Sequence, residues 1–266
     1  MASYRRPHRI RRKRQVLKSR FFWFSILFLI IFGVIFYFFV LSDFFRIKKI
    51  IITGEQKVSA ENLKSVVESG LGRKILFFGT KNIFFVNLNK IRENILKKFP
   101  QIEKIEVKRG FPDALNLVII ERKEVGIFCR DINCFLLDLE GVIFEPVSVE
   151  SPLLKFQNQA LAEELDLGKR VIDKGIMDSI SKIGSKLRED LKILIGEVSI
   201  VSGENIHVKT SEGWEIYFNP EKDLDWQVTE LAAILENRIP DEKRKNLKYI
   251  DLRFDKVYIF PETYNQ

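Results

Sequence analysis

Histidine and cysteine are almost missing from this chain, with two of each among 266 residues. His8 and His207 stand alone, and Cys129 and Cys134 have no Cys or His partners at the short spacings that metal sites use. No metal or other cofactor is therefore expected. Acidic residues are missing from the first 20 positions, which hold nine Lys or Arg. That imbalance governs how the formal charge of +8 is read, because residues 21–266 carry 35 bases against 36 acids. A basic protein invites a nucleic-acid reading. Here the basicity is one short segment beside the longest apolar run, where anionic lipid attracts it. Neither a nucleic-acid partner nor a small-molecule substrate follows from it. The chain also lacks an internal repeat and a second apolar run of about 18 residues.

What is present begins with FFWFSILFLIIFGVIFYFFVL, the 21 residues 21–41, softened only by Ser25 and Gly33. At ~1.5 Å rise per residue this is ~31 Å of helix, against a bilayer core of ~30 Å. A cleaved signal peptide would carry an apolar core of ~7–15 residues and a small-x-small site. LSDFF offers no such site, so residues 21–42 read as a retained single-pass anchor. The tail 1–20 is expected in the cytoplasm by its positive charge, with the bulk of the chain outside.

Phe44–Thr53 (FFRIKKIIIT) is β-branched and reads as a strand. Ser59 stands where an N-cap would, and Leu63, Val66, Val67 and Leu71 form one face of a helix closing at Gly70. After a loop rich in glycine and aromatics, Leu88, Ile91, Ile95, Leu96 and Phe99 mark a second helix stopped at Pro100. IEKIEVKRG and LNLVIIE then alternate about a turn at FPDA, completing strand–helix–helix–strand–strand over residues 43–122. From residue 123 to 262 short strands dominate. GIFC and CFLLD flank RDIN, LEGV turns into VIFEP, and Ser148–Lys169 is less regular. Ile172, Ile176, Ile180, Ile183 and Leu187 mark a helix, followed by strand runs GEVSIV, NIHVKT and GWEIYF. Leu224, Val228, Leu231 and Leu235 mark another helix before KYIDLRF and KVYIF, and 263–266 is a short tail. The expected fold is α+β: a transmembrane helix, a β-α-α-β-β domain and a second α+β domain on an antiparallel meander.

Four stretches carry a family resemblance: IIITGEQKVSAENL (Ile50–Leu63), FPQIEKIEVKRGFPDALNLVIIERKEVGIF (Phe99–Phe128), FLLDLEGVIFEP (Phe135–Pro146) and KYIDLRFDKVYIF (Lys248–Phe260). The β-α-α-β-β unit resembles a POTRA (polypeptide-transport-associated) domain. The whole chain resembles the bacterial cell-division family FtsQ/DivIB. Glu124 stands where that family usually has Pro, Gly126 where it has Ala, and the loop Arg73–Phe85 is longer and more aromatic. Gly54, Arg109, Pro112, Glu121, Arg122, Asp138, Gly141 and Asp251 are the family motif residues. They supply no nucleophile, base and oxyanion donor together, and read as fold determinants.

The resemblance implies a non-enzymatic divisome scaffold in the cell (inner) membrane at the division septum. Its extracytoplasmic domains would bind FtsB/DivIC-type and FtsL-type single-span division proteins and link them to the septal wall synthase complex. It also implies that an FtsB-type segment adds to the last strand by backbone pairing, at Arg253, Phe254, Val257, Tyr258, Ile259 and Phe260. Alternation puts Val257 and Ile259 on one face and Tyr258 and Phe260 on the other. From the residues alone, the competing reading of the same strand is ordinary internal or terminal core.

Rival functions have smaller footholds. Ser179-Ile-Ser-Lys182 matches S-x-x-K, and Lys209-Thr210-Ser211 resembles the K-T-G of penicillin-binding enzymes. No S-D-N or S-x-N lies between them, and the intervening residues are too few for that fold. A POTRA-containing envelope assembly or export factor would carry several POTRA units or a barrel, and a sensor would need a larger cytoplasmic part. Cys129 and Cys134, outside the membrane in this topology, have two open readings. One is a disulfide across a four-residue hairpin loop with Cα atoms roughly 4.5–5.5 Å apart; the other is two reduced, buried thiols.

Overall fold

The computed structural model describes residues 20–71, 74–75, 78–79, 81–161 and 164–261; the basic tail 1–19 and the C-terminal tail 263–266 lie outside the described residues. Helix α1 (Arg20–Phe36) continues through a π turn at Tyr37–Leu41 and a 3-10 turn at Asp43–Phe45. This helical stretch of 26 residues, Arg20–Phe45, is long and apolar enough to cross a membrane.

Three strands make the first sheet. β1 (Lys49–Thr53) lies parallel to β5 (Ala114–Glu121), which pairs antiparallel with β4 (Ile102–Gly110), in the order β1-β5-β4. Helices α2 (Ala60–Leu71) and α3 (Leu88–Lys98) pack Leu63, Val67 and Ile95 against Leu115 and Leu117 of the sheet. Asn87 caps α3 by accepting from the Lys90 N–H at 3.0 Å, and Lys97 and Lys98 oppose the helix dipole in its last turn. Three sequence expectations need correction. Strand β1 begins at Lys49 rather than Phe44, because Phe44 and Phe45 close the 3-10 turn. The loop after α2 contains a small hairpin, β2 (Lys74–Ile75) with β3 (Phe78–Gly79), and α2 itself runs through Gly70 to Leu71.

The motif residues have specific structural duties. Gly54 adopts φ +90°, and a Cβ there would collide with the Ile119 carbonyl, so only glycine fits after β1. Glu121, at the end of β5, accepts from three consecutive backbone N–H groups: Gln56 at 2.8 Å, Lys57 at 2.9 Å and Val58 at 2.9 Å. Burial opposes ionisation of this carboxyl, but the three N–H groups and the charge of Lys57 outweigh it and hold the pKa below the ordinary 4.5. The sign follows from linkage: a depressed carboxyl pKa adds stability that is fully present above the unfolded value and lost as pH falls through the folded value. Acid unfolding of wild type and Glu121→Gln should therefore converge below pH 4.5 and separate above it, with wild type the more stable. Parallel curves across that range would remove Glu121 from this role.

The second sheet has nine strands in the order β14-β13-β12-β11-β10-β9-β6-β7-β8. They are β6 (Gly126–Arg130), β7 (Asn133–Leu137), β8 (Ile143–Val147), β9 (Lys155–Asn158), β10 (Ile195–Ser202), β11 (Asn205–Thr210), β12 (Glu215–Phe218), β13 (Tyr249–Asp251) and β14 (Tyr258–Phe260). The hairpins are antiparallel as expected, but three neighbours are parallel: β6 with β9, β9 with β10, and β12 with β13. The stretch Ser148–Lys169 thus contains the strand that joins two meanders into one sheet. Helices α4 (Lys174–Glu189) and α5 (Leu224–Asn237) cover one face, where Met177, Ile180, Ile183, Val228 and Leu231 meet Val198, Val208, Ile216 and Ile250. Asp173 caps α4, so Ile172 is buried just ahead of the helix, Met177 takes the core position and Ile176 is only half-buried.

Between the two sheets, Arg122 and Asp138 form an ion pair whose side chains are only 13% and 6% exposed. Arg122 Nε also donates to the Pro100 carbonyl at 3.0 Å, while Asp138 Oδ1 accepts from the N–H groups of Glu140 (3.0 Å) and Val142 (2.8 Å). Gly141, at φ +75°, completes that turn where a Cβ would strike the Ile172 carbonyl.

On the opposite face of the large sheet, Ile127, Cys129 and Cys134 form a small cluster, and the two cysteines are joined as a disulfide with Cα atoms 4.2 Å apart. Arg130 pairs with Asn133, so the loop is the two residues Asp131-Ile132 rather than four; Asp131 supplies the positive φ (55°) such a turn needs. The short loop limits the bond's contribution to about 2 kcal/mol. Intact-mass analysis after alkylation without reductant should find no modified thiol. Two alkylated cysteines would contradict the pairing.

Candidate functional site

β14 is one of the two edge strands of the nine, paired on one side with β13 in the register Tyr249↔Phe260, Ile250↔Ile259 and Asp251↔Tyr258. Alternation along it separates two chemistries. Ile259 is buried in the core beneath, and Val257 packs half-buried against the same core. Tyr258 and Phe260 are 49% and 45% exposed on the outer face. Arg253 and Phe254, expected on strands, sit instead in the bend between β13 and β14, and Val257 directly precedes β14.

The outer face carries more than these residues. Across four adjacent strands the rings of His207, Tyr217, Tyr249 and Phe260 stack in series, at centroid separations of 3.8, 5.0 and 5.6 Å. Phe254 meets Tyr258 edge-on at 6.1 Å. The Arg253 guanidinium lies over both Tyr217 (5.3 Å) and Phe254 (5.2 Å), held by Asp251 through Nε at 2.8 Å and Nη2 at 2.6 Å. Asp251, read as a motif residue, thus aims Arg253. Burial, with the Glu215 carboxylate beside it, pushes the Tyr217 hydroxyl up to about 12, and burial lowers the His207 pKa, so both rings are uncharged at neutral pH. Behind the edge, Glu230, Ile234 and Asn237 of α5 and Asp255, Lys256 and Val257 line a groove of about 540 Å³. Sequence reasoning did not find His207, Tyr217 or Tyr249. His207 and Tyr217 each alternate with inward-facing neighbours and Tyr249 opens its strand, and only cross-strand register brings the three rings together.

Arg109 and Pro112 belong to the other sheet, at the β4–β5 turn, where Arg109 donates to the carbonyls of Ile83 (2.7 Å) and Val86 (3.0 Å). Among the described residues no group of His, Cys, Asp and Glu could hold a metal ion.

Residues 45–122 match the family model of the FtsQ-type POTRA domain, and residues 128–253 match that of the FtsQ/DivIB C-terminal region. The chain belongs to the FtsQ/DivIB family of cell-division proteins. Among its relatives are the cell division proteins DivIB of Clostridium acetobutylicum (28% identical over 102 residues) and of Clostridium tetani (22% over 184 residues). The first match covers 38% of this chain and 37% of the relative, and the second 67% and 68%. The cell division protein FtsQ of Rickettsia bellii is 30% identical over 97 residues, 36% of this chain and 33% of that protein. The first of these matches thus spans little more than a third of the relative's own length. With its N-terminal apolar helix, the chain is a membrane-anchored member of the family. The C-terminal match stops at Arg253, before β14, so the aromatic edge rests on the geometry of this chain.

Proposed function

We propose that the protein is a non-enzymatic divisome scaffold, held in the cell membrane by α1 with its N-terminus inside and the POTRA domain (43–122) and β domain (123–262) outside. In this reading β14 receives a segment of an FtsB/DivIC-type partner, which brings the FtsL-type protein and the septal wall synthase complex with it. The observation that carries the reading is the edge itself, a terminal strand with Tyr258 and Phe260 outward and the aromatic ladder beside it. Such an edge is an aggregation hazard unless something covers it. Backbone pairing would supply much of the affinity, and the aromatics and Arg253 the selectivity. Capture of the FtsB–FtsL pair by wild type and by a Lys256–Gln266 deletion tests the reading; equal capture by both would refute it.

The S-x-x-K motif is occupied by other interactions. Ser179 Oγ donates to the Gly175 carbonyl of its own helix at 3.0 Å, and Lys182 Nζ binds Asp225 at 2.8 Å. Lys182 and Lys186 together hold the Asp225 carboxyl below its usual pKa, which keeps the cluster an ion pair. Ser179→Ala and Lys182→Ala should each support division in a depletion strain. Filamentation with a normally folded protein would restore an enzymatic reading.

A further inference from the structure

The end of α1 is built into the POTRA domain. Asn82, itself buried, donates from Nδ2 to the carbonyls of Phe39 (2.9 Å) and Val40 (3.2 Å), which the helix end leaves without intrahelical donors. Its Oδ1 accepts from the Phe84 N–H at 3.0 Å. The backbone on either side is tied to the juxtamembrane chain, with Ile47 N–H donating to Lys81 (2.8 Å) and Ile83 N–H to Phe45 (2.9 Å). From the other side, Arg109 of β4 holds the carbonyls of Ile83 and Val86. Residues 81–86 are therefore fixed between the membrane helix and the sheet.

A run of phenylalanines leads outward from this clamp. The Phe39 ring lies 5.2 Å from Phe45 and 5.8 Å from Phe84, and Phe84 lies 5.5 Å from Phe111 at the β4–β5 turn. Phe44, Phe84, Phe85 and Phe111 are nonetheless exposed, Phe111 by 60%. Depth follows from the helix. A run of ~31 Å fills a core of ~30 Å, so Phe38–Leu41 lie at its outer boundary, below an interfacial layer of about 5–7 Å. Ring contact with Phe39 places Phe84 at that boundary and Phe111 one ring further along.

We propose that this end of the POTRA domain is a lipid-binding surface, with Phe84, Phe85 and Phe111 seated in the outer bilayer interface and the domain clamped to the membrane. The occupant is lipid because the patch is continuous with the spanning helix and rigidly fixed at interface depth. Aromatic rings favour that layer, and exposed Lys81 beside Asn82 can reach lipid phosphates. The domain then has a set orientation over the membrane.

The test uses the full-length protein in vesicles of phosphatidylethanolamine and phosphatidylglycerol, with Trp23→Phe as the parent. Phe111→Trp and, separately, Phe84→Trp are read by quenching with phospholipids brominated near the headgroup or near the chain terminus. The parent retains Trp214 and Trp226 in the β domain and sets the baseline. The expected result is blue-shifted emission, lost more to shallow than to deep bromines, with thermal unfolding like the parent's. Emission at 111 as unquenched as the baseline would overturn the proposal. Protection appearing only when another division protein is co-reconstituted would overturn it too, by making that protein the occupant. If Phe84→Trp fails to fold, the more exposed Phe111→Trp carries the test.

Discussion

Replacing Asp138 with alanine is expected to lower stability by about 3–5 kcal/mol, the range seen when one member of a buried ion pair is removed. The Arg122 guanidinium would lose its carboxylate partner in a site where its side chain is 13% exposed, keeping the Pro100 carbonyl as an acceptor. The turn at 138–142 would also lose the acceptor that fixes the Glu140 and Val142 N–H groups. Against a typical total of about 5–15 kcal/mol, such a loss is large. Urea unfolding followed through the buried indole of Trp214 measures it directly. Asp138→Asn, which retains an acceptor for the turn, should fall between the two. A change below about 1 kcal/mol for the alanine variant would show that the pair is dispensable.

The second large effect is on association. Tyr258→Ala and Phe260→Ala should each weaken partner binding by roughly 1–3 kcal/mol, the cost of losing an aromatic anchor. The double variant should lose more than about 25-fold in affinity. Folding should be little changed, because both rings are half exposed and face away from the core. Ile259→Ala is the wrong probe: it is buried, and its truncation would cost about 2–5 kcal/mol of core packing.

The POTRA domain was legible because its signals are local. Helical faces such as Leu63-Val66-Val67-Leu71, the strands alternating about FPDA and the family motifs all lie within short windows. The β domain was less so. β9, Lys155–Asn158, has four residues with one deeply buried apolar side chain, Phe156, and exists because parallel neighbours distant in sequence pair with it. The position of Tyr258 and Phe260 on one face followed from period-two alternation. Their continuation into Tyr249, Tyr217 and His207 did not, since sheet order is a property of the fold. Likewise Arg122 and Asp138 could be read as motif residues, but their pairing between two sheets could not.

The central claim is that β14 is a docking edge, and it is tested most directly by affinity measurement with the purified FtsB–FtsL pair. Wild type, Tyr258→Ala/Phe260→Ala and Ser179→Ala proteins would be compared in matched membranes. The account predicts that the double edge variant loses binding while staying folded and membrane-bound, and that Ser179→Ala binds like wild type. Undiminished binding by the edge variant would contradict it and return these rings to an ordinary sheet surface.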